Sequence, residues 1–423
     1  MRARQSRGAG AISRAWAVRD FRLLWLGNNF SMIGTWMQNV LLGAYARERF
    51  GSASAVGLII FAQLGPVLVL SIPSGLIADR VRRRPFIAAM QIEQMLLSCV
   101  LAVIVRGRPS MTAVFLVVLG IGIGGSLTGP SFQSAVPSMV GRENLAGALS
   151  LNSVGLNGSR VVGPILTAIL TSFGVTVSGI FFINAGTYLV VIGALCVIKI
   201  PSNTARRSDN GWRALTGGLR YAKNKKVVGS ILLGMASFSM FSLPFVGQFA
   251  SIAKSKFHID TRGSTYQWLY ATWGLGACLG ALSIGTIFSQ IGKRKLIFGG
   301  LFGFAVTLAT YAWVTSLTVG FVVLFFLGWS YFTVATSLLT VLQTNTDDDV
   351  RGRIGALWLL VFGGTVPIGN LIAGPIIDRT GARPVMLFGA AWACVLLLIW
   401  RAQLRRAEML RTTQPVPEMV VGA

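Results

Sequence analysis

Twelve apolar stretches, each close to the length of one membrane crossing, follow one another along this sequence. A bilayer core about 30 Å thick requires roughly 20 apolar residues in a helix that rises about 1.5 Å per residue. The stretches, bounded by charged, proline or turn residues, are 21–46, 54–78, 86–105, 111–136, 145–171, 176–198, 227–253, 265–289, 294–315, 317–342, 353–377 and 384–402. The sequence therefore predicts an all-α membrane protein with twelve transmembrane helices.

The composition agrees with a membrane chain. Of the 423 residues, 53% are hydrophobic and only 12% are charged, whereas a soluble domain has about 25% charged residues. This excludes an ordinary soluble protein. One histidine, His258, and four widely separated cysteines provide neither a set of zinc ligands nor paired disulfides, so we expect no metal site and no cofactor.

The basic residues indicate how the chain is oriented. Lys and Arg number 38 against 13 Asp and Glu, and they concentrate in the tail 1–20, the loop 79–85, the connection 199–226 and the tail 403–423. Because Lys and Arg in short loops stay on the cytoplasmic side, we expect a multi-pass protein of the cell (inner or plasma) membrane with both termini in the cytoplasm. The same residues are expected to attract anionic membrane lipids rather than nucleic acid.

The polar segment 199–226 reads as a cytoplasmic linker between two six-helix halves, 21–198 and 227–402. A shift of about 210 residues aligns related segments of the two halves: Gly75-Leu76-Ile77 with Gly285-Thr286-Ile287, and Gly163-Pro164-Ile165 with Gly374-Pro375-Ile376. Halves of this kind, built from internal 3+3 inverted repeats, are typical of secondary transporters, which hold the substrate near the midplane between them.

Residues 75–85, GLIADRVRRRP, resemble the pattern G-x-x-x-D-R-x-G-R-R that the major facilitator superfamily carries between spans two and three. In that family the loop latches the cytoplasmic side. The resemblance implies a cytoplasmic gate made of Gly75, Asp79, Arg80, Arg83 and Arg84. Arg82 replaces the usual Gly, and the second-half copy has Ser289 where Asp is expected, so the first copy alone keeps the full latch.

An acidic cluster precedes span eleven and is the expected partner of the gate. It consists of Asp347, Asp348 and Asp349, whose carboxylates would form a charge lock with Arg80, Arg83 or Arg84. The alternative is that these acids stabilise the helix N-terminus.

Two further segments carry the family resemblance. Span five contains SRVVGPILTA, which is similar to the antiporter pattern G-x-x-x-G-P-x-x-G-G and matches it at Gly163 and Pro164. Segments 20–38 and 349–358 resemble the branch that contains enterobactin exporters and macrolide efflux proteins, and the resemblance covers nearly the whole chain. It implies a monomeric exporter of a small organic substrate. Span four lacks the Arg that many drug/proton antiporters carry, which leaves the proton route open.

Polar and aromatic residues inside the spans are the candidates for a substrate cavity, because polar groups in a bilayer face cavities or packed interfaces. In span one such residues recur at helical spacing, at Asn28, Ser31, Thr35 and Gln38. The other candidates are Gln133, Asn157, Arg160, Phe238, Phe241, Phe245, Gln248, Tyr270, Trp273, Thr336 and Thr340. A cavity that is polar on one side and aromatic on the other suits an amphiphilic molecule. The alternative is that hydroxyls bond their own helix and rings face lipid.

Two charged residues inside the spans are candidates for proton coupling. Arg160 lies about 22 Å from the cytoplasmic edge of span five, where it would hold an anionic substrate group or respond to an acid, unless it is a structural clasp. Glu93 lies about 11 Å into span three and would carry a proton, unless it belongs to a structural network.

The sequence thus predicts a secondary active efflux permease that exports an amphiphilic drug, siderophore or secondary metabolite by alternating access, driven by proton antiport. An importer or lipid flippase on the same fold is the alternative. A receptor or membrane enzyme is disfavoured, because the sequence contains no His or Cys cluster and no paired intramembrane acids. No phosphate-binding G-x-x-x-x-G-K-[ST] motif occurs in the sequence.

Overall fold

The computed structural model describes residues 10, 12–141, 143–200, 211–347 and 350–412, with the backbone alone described at 72, 75, 76, 78–80, 134, 211–215 and 403–412. Regular secondary structure in these ranges is helical throughout. The first half contains α1 (Arg19–Phe50), α2 (Ala53–Arg80), α3 (Arg83–Ile104), α4 (Met111–Val140), α5 (Leu145–Ser172) and α6 (Val177–Val197).

The connection between the halves contains a short helix, α7 (Gly211–Asn224), which packs against α8 and α14. The second half contains α8 (Lys226–Phe241), α9 (Pro244–Gly247), α10 (Phe249–Phe257), α11 (Ser264–Ser283), α12 (Lys293–Trp313), α13 (Leu317–Thr344), α14 (Arg351–Leu359), a π-helical turn (Leu360–Gly364), α15 (Thr365–Thr380) and α16 (Ala382–Thr412). We refer to the end of the bundle where α7 lies as the linker end, and to the opposite end as the distal end.

Helices occupy every position where the sequence predicts a span. In the described part of the chain, ten helical segments are long and apolar enough to cross a membrane. The helices α1 and α11 are not among them, since α1 carries Asn28, Asn29, Gln38 and Asn39 and α11 begins with polar residues. The all-α membrane class is confirmed. The count of twelve spans and the inverted repeats remain predictions.

Two predicted spans differ from the observed helices. Span seven, predicted as one run over 227–253, is broken into α8, α9 and α10, with Pro244 as the first residue of α9. Proline lacks the N–H that would bond to residue 240 and its ring crowds the preceding turn, so α8 ends before it. Span eight, predicted to reach 289, ends as α11 at Ser283 and continues as turns.

Local sequence signals explain where several helices begin and end. The hydroxyls of Ser52, Ser110 and Thr176 each accept a hydrogen bond from the backbone N–H three residues on, at 3.0, 3.2 and 3.2 Å, and so cap α2, α4 and α6. At the end of α1, Gly51 adopts a left-handed conformation with φ 72°, which favours glycine. The loops at the distal end are short as a result.

The two halves contact each other mainly through α2 against α15 and α5 against α11. Since lipid is as apolar as leucine, such contacts depend on close packing and on small residues. At Gly274 an added methyl group would lie 3.3 Å from the backbone oxygen of Arg160, so glycine lets α11 approach α5 at that level. Each half also has its own aromatic and aliphatic core, which fixes the walls of the space between them.

Candidate substrate cavities

A cavity of about 340 Å³ lies between the two halves, and we call it the central cavity. Its walls come from α1, α2 and α5 of the first half and from α11, α13 and the π-helical turn of the second. Four of the predicted cavity residues line it: Asn157, Arg160, Tyr270 and Trp273. Its volume is in the range of small-molecule sites, about 300–1,000 Å³.

Arg160 is the one charged side chain in the wall of the central cavity, among the residues that the structure describes. Its guanidinium carbon lies 5.4 Å from the ring centre of Trp36 in α1 and 5.6 Å from that of Phe332 in α13. The Nε–H is buried and has no acceptor in the described protein. Two cation–π contacts, one from each half, therefore hold the side chain in the wall of the cavity.

The second-half wall of the central cavity carries a series of nearly parallel rings. Trp273 and Tyr331 lie 6.1 Å apart with planes at 16°, and Tyr331 and Phe362 lie 6.3 Å apart with planes at 1°. Phe362 is in turn 5.8 Å from Trp358, again at 16°. Tyr331 and Phe362 were not among the candidates chosen from the sequence, because aromatic residues are frequent in every apolar span and carry no spacing signal.

A second cavity of about 240 Å³ lies within the first half, between α1, α3, α4 and α5, and we call it the polar cavity. It brings together four predicted cavity residues: Asn28, Ser31, Thr35 and Gln133. The structure adds amide and hydroxyl side chains from α3, α4 and α5 that the prediction omitted, namely Gln91, Gln94, Thr128 and Asn152. Among the described residues that line it, none is charged.

The two cavities lie on neighbouring faces of the same two helices. In α1, Thr35 lines the polar cavity and the next residue, Trp36, lines the central cavity. In α5, Leu156 lines the polar cavity and the next residue, Asn157, lines the central cavity. Amides and hydroxyls therefore lie on one face of α1 and α5, and aromatic rings lie beside the neighbouring face.

Several predicted cavity residues lie outside the walls of both cavities. Gln38 is buried and accepts a hydrogen bond of 2.9 Å from the amide of Asn184, within the packing of α1 against α6. Thr340 donates to the backbone oxygen of Thr336 at 2.8 Å, as the alternative interpretation of such hydroxyls expects. Gln248 donates at 3.0 Å to the backbone oxygen of Ala53 at the distal end.

The three aromatic candidates of span seven pack within the second half. Phe238 lies 4.9 Å from a ring of α12, and Phe241 contacts two rings of α16, at 4.9 and 6.0 Å. Phe245 lies 6.4 Å from Trp273 and supports it from behind. These phenylalanines are thus part of the core that holds the aromatic wall.

Glu93 lies between α3 and α4; it lines neither cavity, although the neighbouring residues Gln94 and Gly125 line the polar cavity. A side chain at Gly124 would collide with its carboxylate, so glycine makes the space that Glu93 occupies. One carboxylate oxygen, Oε2, is buried and has no hydrogen-bond partner in the described residues. A carboxyl group in this position costs less free energy when it is protonated, which agrees with the predicted coupling role and does not test it.

The antiporter-like motif has a packing role. A methyl group added at Gly163 would lie 2.6 Å from the Cβ of Trp36 and 3.0 Å from the backbone oxygen of Ile33. Glycine at this point lets α5 lie directly against α1, beside the central cavity. Pro164 follows inside α5 without ending the helix.

The predicted gate lies at the linker end, at the close of α2 and the start of α3. Gly75, Asp79 and Arg80 are in α2, where their backbone alone is described. Arg84 donates a hydrogen bond of 2.7 Å to the backbone oxygen of Cys196 at the end of α6. Arg83 begins α3 and also has an interaction partner.

Of the acidic cluster, Asp347 is described, whereas Asp348 and Asp349 lie outside the described residues. Asp347 accepts a hydrogen bond of 2.7 Å from Lys225, which follows α7, and its backbone N–H donates to the hydroxyl of Tyr221. The bond from Lys225 lowers the pKa of Asp347 below its ordinary value. In this conformation Asp347 joins the linker to the second half, and the predicted lock with the gate arginines remains a prediction.

At the distal end, one carboxylate joins the two halves. Asp378, in the last turn of α15, accepts hydrogen bonds from the backbone N–H groups of Ala53 and Ser54 at 2.6 and 2.9 Å. The Ser54 hydroxyl donates to the same carboxylate at 2.5 Å. Asp378 therefore caps the first turn of α2 from the opposite half. Gly374, one turn earlier, has no side chain that would prevent this approach, since an added methyl group would lie 2.7 Å from the Cα of Ser54.

A second group of contacts closes the distal end beside Asp378. Glu48, near the end of α1, forms an ion pair with Lys254 of α10. Thr261 donates to Glu48 from its hydroxyl at 3.0 Å and from its backbone N–H at 3.2 Å. Burial alone would raise the pKa of Glu48, but the bonds from Lys254 and Thr261 outweigh it and lower the pKa below 4.5. These contacts, like those of Asp378, join the first half to the second at the distal end.

The role of Asp378 has a signal in the sequence that the prediction of the gate missed. Residues 374–384, GPIIDRTGARP, repeat the pattern G-x-I-x-D-R-x-x-x-R-P of residues 75–85. The offset between these two copies differs from the shift of about 210 residues that aligns the two halves. The structural roles also correspond. Arg84 bonds to the end of α6, and Arg383 donates at 3.3 Å to the backbone oxygen of Ala312 near the end of α12.

A bundle of two helical halves around one central cavity defines the class of secondary transporters. The sequence model of a family described as transmembrane secretion effector matches residues 15–422, and the chain belongs to this family of the major facilitator superfamily. It is therefore a membrane transporter and not an enzyme.

Curated relatives cover nearly the whole chain. The enterobactin exporter EntS of Salmonella choleraesuis (strain SC-B67) is 27% identical over an alignment of 418 positions that covers 94% of this chain and 95% of the relative. The enterobactin exporter EntS of Escherichia coli O1:K1 / APEC is also 27% identical, over 406 residues that cover 91% and 92% of the two chains.

Solved transporters share the fold. A point mutant of the nucleoside transporter NupG superposes with a TM-score of 0.70 at 14% identity, over 90% of this chain and 98% of that one. A bacterial homolog of the human lysosomal transporter Spinster, solved in an inward-facing and unoccupied conformation, superposes with a TM-score of 0.69 at 16% identity, over 90% and 95%. At these identities the likeness concerns the fold alone.

Proposed function

We propose that this transporter is a secondary active exporter of an amphiphilic organic compound, and that it works by alternating access. The observation that carries the proposal is a central cavity between the halves that is closed at one end by contacts across the halves. If the predicted orientation holds, the distal end faces outward, and the structure corresponds to a conformation that loads from the cytoplasm. Moving the same two halves about the cavity would then release the substrate outside.

The pair of cavities supports an amphiphilic substrate. The polar cavity offers amides and hydroxyls without charge, and the central cavity offers rings and one guanidinium. An inorganic ion would leave most of both cavities unfilled and the aromatic wall without a partner.

Export as the direction of transport is supported by the relatives, which are exporters of enterobactin, and by the partial antiporter motif at Gly163 and Pro164. An importer or a lipid flippase would use the same fold and the same distal closure. The direction therefore has to be measured on this chain.

Proton antiport is the energy source that we propose. Glu93 would carry the proton, because its carboxyl group is buried between helices and has an oxygen without a partner in the described residues. Arg160, in the central cavity, would respond to the charge of the substrate rather than to the proton. The two coupling candidates, Glu93 and Arg160, thus lie at different positions and have different proposed roles.

Whole-cell accumulation of fluorescent amphiphiles tests the proposal. Cells of a host without its own drug pumps would express the chain or an empty vector, and a panel of anionic, neutral and cationic dyes would be loaded with and without a protonophore. We expect less dye in the expressing cells, and a return to the vector level when the protonophore is added. More dye in expressing cells would indicate import, and equal dye over the whole panel would contradict the proposal.

A further inference from the structure

We propose that the central cavity selects a planar aromatic anion, with Arg160 as the counter-charge and the second-half rings as the stacking surface. This inference rests on the proposed transport function and adds the class of substrate to it. The charge of the cavity, its hydrogen-bond donors and the geometry of its rings each support it.

The charge of the central cavity is not balanced by its described walls. Arg160 lies among aromatic and aliphatic side chains, and the lining contains no described Asp or Glu. A guanidinium remains charged in any protein environment, so removing it from water costs free energy that an anion or strong acceptors recover best. The rings of Trp36 and Phe332 recover part of it, at 5.4 and 5.6 Å. A substrate that brings a carboxylate, sulfonate, phenolate or phosphate would supply the rest.

The hydrogen-bond donors of the wall agree with an anionic ligand. The Nε–H of Arg160 and the indole N–H of Trp273 are both buried, and neither has an acceptor in the described protein. Both residues line the central cavity. Because these two donors are enclosed in the wall, an oxygen acceptor that reaches into the wall beside Arg160 and Trp273 would pair with them, whereas a cationic ligand brings further donors.

The rings specify the shape of the ligand. Trp273, Tyr331 and Phe362 present faces within 16° of parallel in successive pairs, so their edges and faces define one common orientation. A flat conjugated ligand can stack on this surface with its plane parallel to the rings, while a globular aliphatic ligand contacts it poorly. Arg160 is within reach of the same space, because Phe332 adjoins Tyr331 in α13 and contacts both its ring and the guanidinium.

The alternative is that Arg160 is a structural clasp between α5 and its neighbours. A clasp would direct the guanidinium donors to carbonyl or carboxylate groups of those helices. The contacts of the guanidinium that we observe are to ring faces, one in each half, and it lines the cavity. A clasp between halves that must separate during transport would also resist the motion, whereas a substrate anion enters and leaves with each cycle.

A matched set of probes tests the inference on the purified full chain in detergent. The probes are 1-pyrenebutyrate, 1-pyrenebutanol and 1-pyrenebutylammonium, which share one ring system and differ in charge. Binding is read from energy transfer between tryptophan and pyrene, since Trp36 and Trp273 line the cavity. We expect the anion to bind at least about tenfold more tightly than the alcohol, and the ammonium more weakly than both.

Variants assign that preference to Arg160. Arg160→Gln should bind anion and alcohol with equal affinity, and Arg160→Lys should keep part of the preference, since it retains the charge and loses the planar fork. The matched control is Arg106→Gln, which removes an arginine that also lies over a ring, Phe182 at 5.1 Å, outside both cavities. A preference unchanged in Arg160→Gln, or equal affinity of the wild type for all three probes, would overturn the inference. The dye panel in cells decides the transport proposal separately, so the two can fail independently.

A different observation supports a second inference: the geometry assigns Asp378 the role of a latch for the distal end. The motif of residues 374–384 repeats that of residues 75–85 at the opposite end of the molecule. In the second copy, Gly374 permits close contact with α2, Asp378 caps α2, and Arg383 fixes the start of α16. We infer that the two copies act in alternation, one holding each end closed.

The contacts of Asp378 connect helices that must separate when the distal end opens. Its carboxylate belongs to α15 in the second half, and its donors are the first N–H groups of α2 in the first half. These N–H groups have no partner within their own helix, so opening the distal end would expose them to water. The capping bonds therefore favour the closed conformation by the free energy of a helix cap.

Distances between spin labels measure the latch directly. In a chain without its four native cysteines, labels at Arg108→Cys and Arg262→Cys lie on exposed distal loops of the two halves. We expect a single short distance between the labels in the wild type. In Asp378→Ala, the fraction of molecules with a longer distance should increase about fivefold. Asp378→Glu should reverse part of this change, because it keeps the carboxylate.

The neighbouring exposed residue provides the control. Arg379→Ala alters charge in the same turn without a described bond to α2 and should leave the distances unchanged. If Asp378→Ala proves too unstable to purify, Asp378→Asn keeps the shape and one acceptor and should show an intermediate increase. Identical distance distributions in the wild type and both Asp378 variants would overturn the latch.

Discussion

A buried charge in a membrane bundle needs compensation from its surroundings, and Arg160 and Glu93 obtain it in different ways. Arg160 remains charged and is held over rings from both halves. Glu93 occupies space left by Gly124 and can become neutral by taking up a proton. A residue that stays charged suits recognition of an anion, and a residue that can lose its charge suits proton coupling.

Replacing Glu93 by Gln keeps the shape of the side chain and removes the proton that it would carry. We expect proton-driven export in liposomes to fall at least about tenfold, while exchange of labelled for unlabelled substrate without a gradient continues. The measurement is uptake into inverted liposomes with and without an imposed pH gradient. Glu143→Gln, at an exposed loop position, is the control and should be unchanged. Driven export at the wild-type rate in Glu93→Gln would remove Glu93 from the coupling route.

Helix contacts in this bundle depend on glycine at particular points. Gly120, Gly122 and Gly125 form a G-x-G-x-x-G pattern in α4 that resembles a nucleotide-binding motif in letters alone, and Gly124 lies within it. In the structure, Gly122 packs on the backbone of α2 and Gly124 packs on α3. Close packing of helices is therefore the role of the pattern.

A methyl group at Gly122 would lie 2.6 Å from the backbone oxygens of Ala62 and Gln63, which cannot move without shifting α2. We expect Gly122→Ala to destabilise the protein by about 1–3 kcal/mol. Gly129→Ala in the same helix meets nothing within 4 Å and should be neutral or slightly stabilising. Thermal unfolding of the detergent-purified variants, followed by size-exclusion chromatography, measures both. Equal melting temperatures for the two variants would contradict the packing argument.

The polar residues of α1 show how far a sequence pattern predicts which side chains face a cavity. Asn28, Ser31 and Thr35 face the polar cavity as their stripe predicts, but Gln38 lies against α6. Gln38 lies only about 20° around the helix axis from Ser31, which lines the polar cavity, so the helical period alone does not separate them. The neighbouring helix at the level of Gln38, α6, decides its surroundings. The break of span seven, by contrast, was readable from Pro244.

At the scale of the whole molecule, the structure is a transporter closed at the distal end. Two sets of contacts maintain the closure: the cap that Asp378 provides to α2, and the ion pair between Glu48 and Lys254 with Thr261. The closure joins residues that are more than 200 positions apart in the chain.

The Glu48 cluster predicts how closure depends on pH. Glu48 lies beyond the predicted span 21–46, and its pKa is lowered below 4.5 when the cluster is formed. A lowered pKa means that the open state binds the proton more tightly, so the cluster stabilises closure above pH 4.5 and loses this effect as the pH falls through the lowered value. We expect distal label distances that are constant above pH 4.5 and become longer as the pH falls through the lowered pKa of Glu48.

Two variants check that dependence. In Glu48→Gln, the distances between the distal labels should show no pH-dependent step from residue 48. At neutral pH, a population with a longer distance should already be present. Lys254→Ala should shift the step toward higher pH, because the carboxylate loses its ion pair. A step of unchanged position in Glu48→Gln would assign the pH dependence to another group.

The sequence by itself determined the class of this protein: apolar runs of membrane length, separated by basic loops, leave a helical membrane bundle as the fold. It also marked Arg160 and Glu93, because charged residues inside such runs are rare. Both signals are local, since they need only the length and content of one segment.

Tertiary structure alone decided which polar residues face a cavity, which rings stand parallel, and that Asp378 caps α2. Each of these depends on the relative placement of helices far apart in the chain. Helical periodicity shows which residues share a face of a helix, but not which helix packs against that face. The repeat at 374–384 was present in the sequence, yet its meaning came from the three bonds that Asp378 makes across the halves. A short sequence pattern can recur for many reasons, and the geometry that its copies share in the structure shows which reason applies.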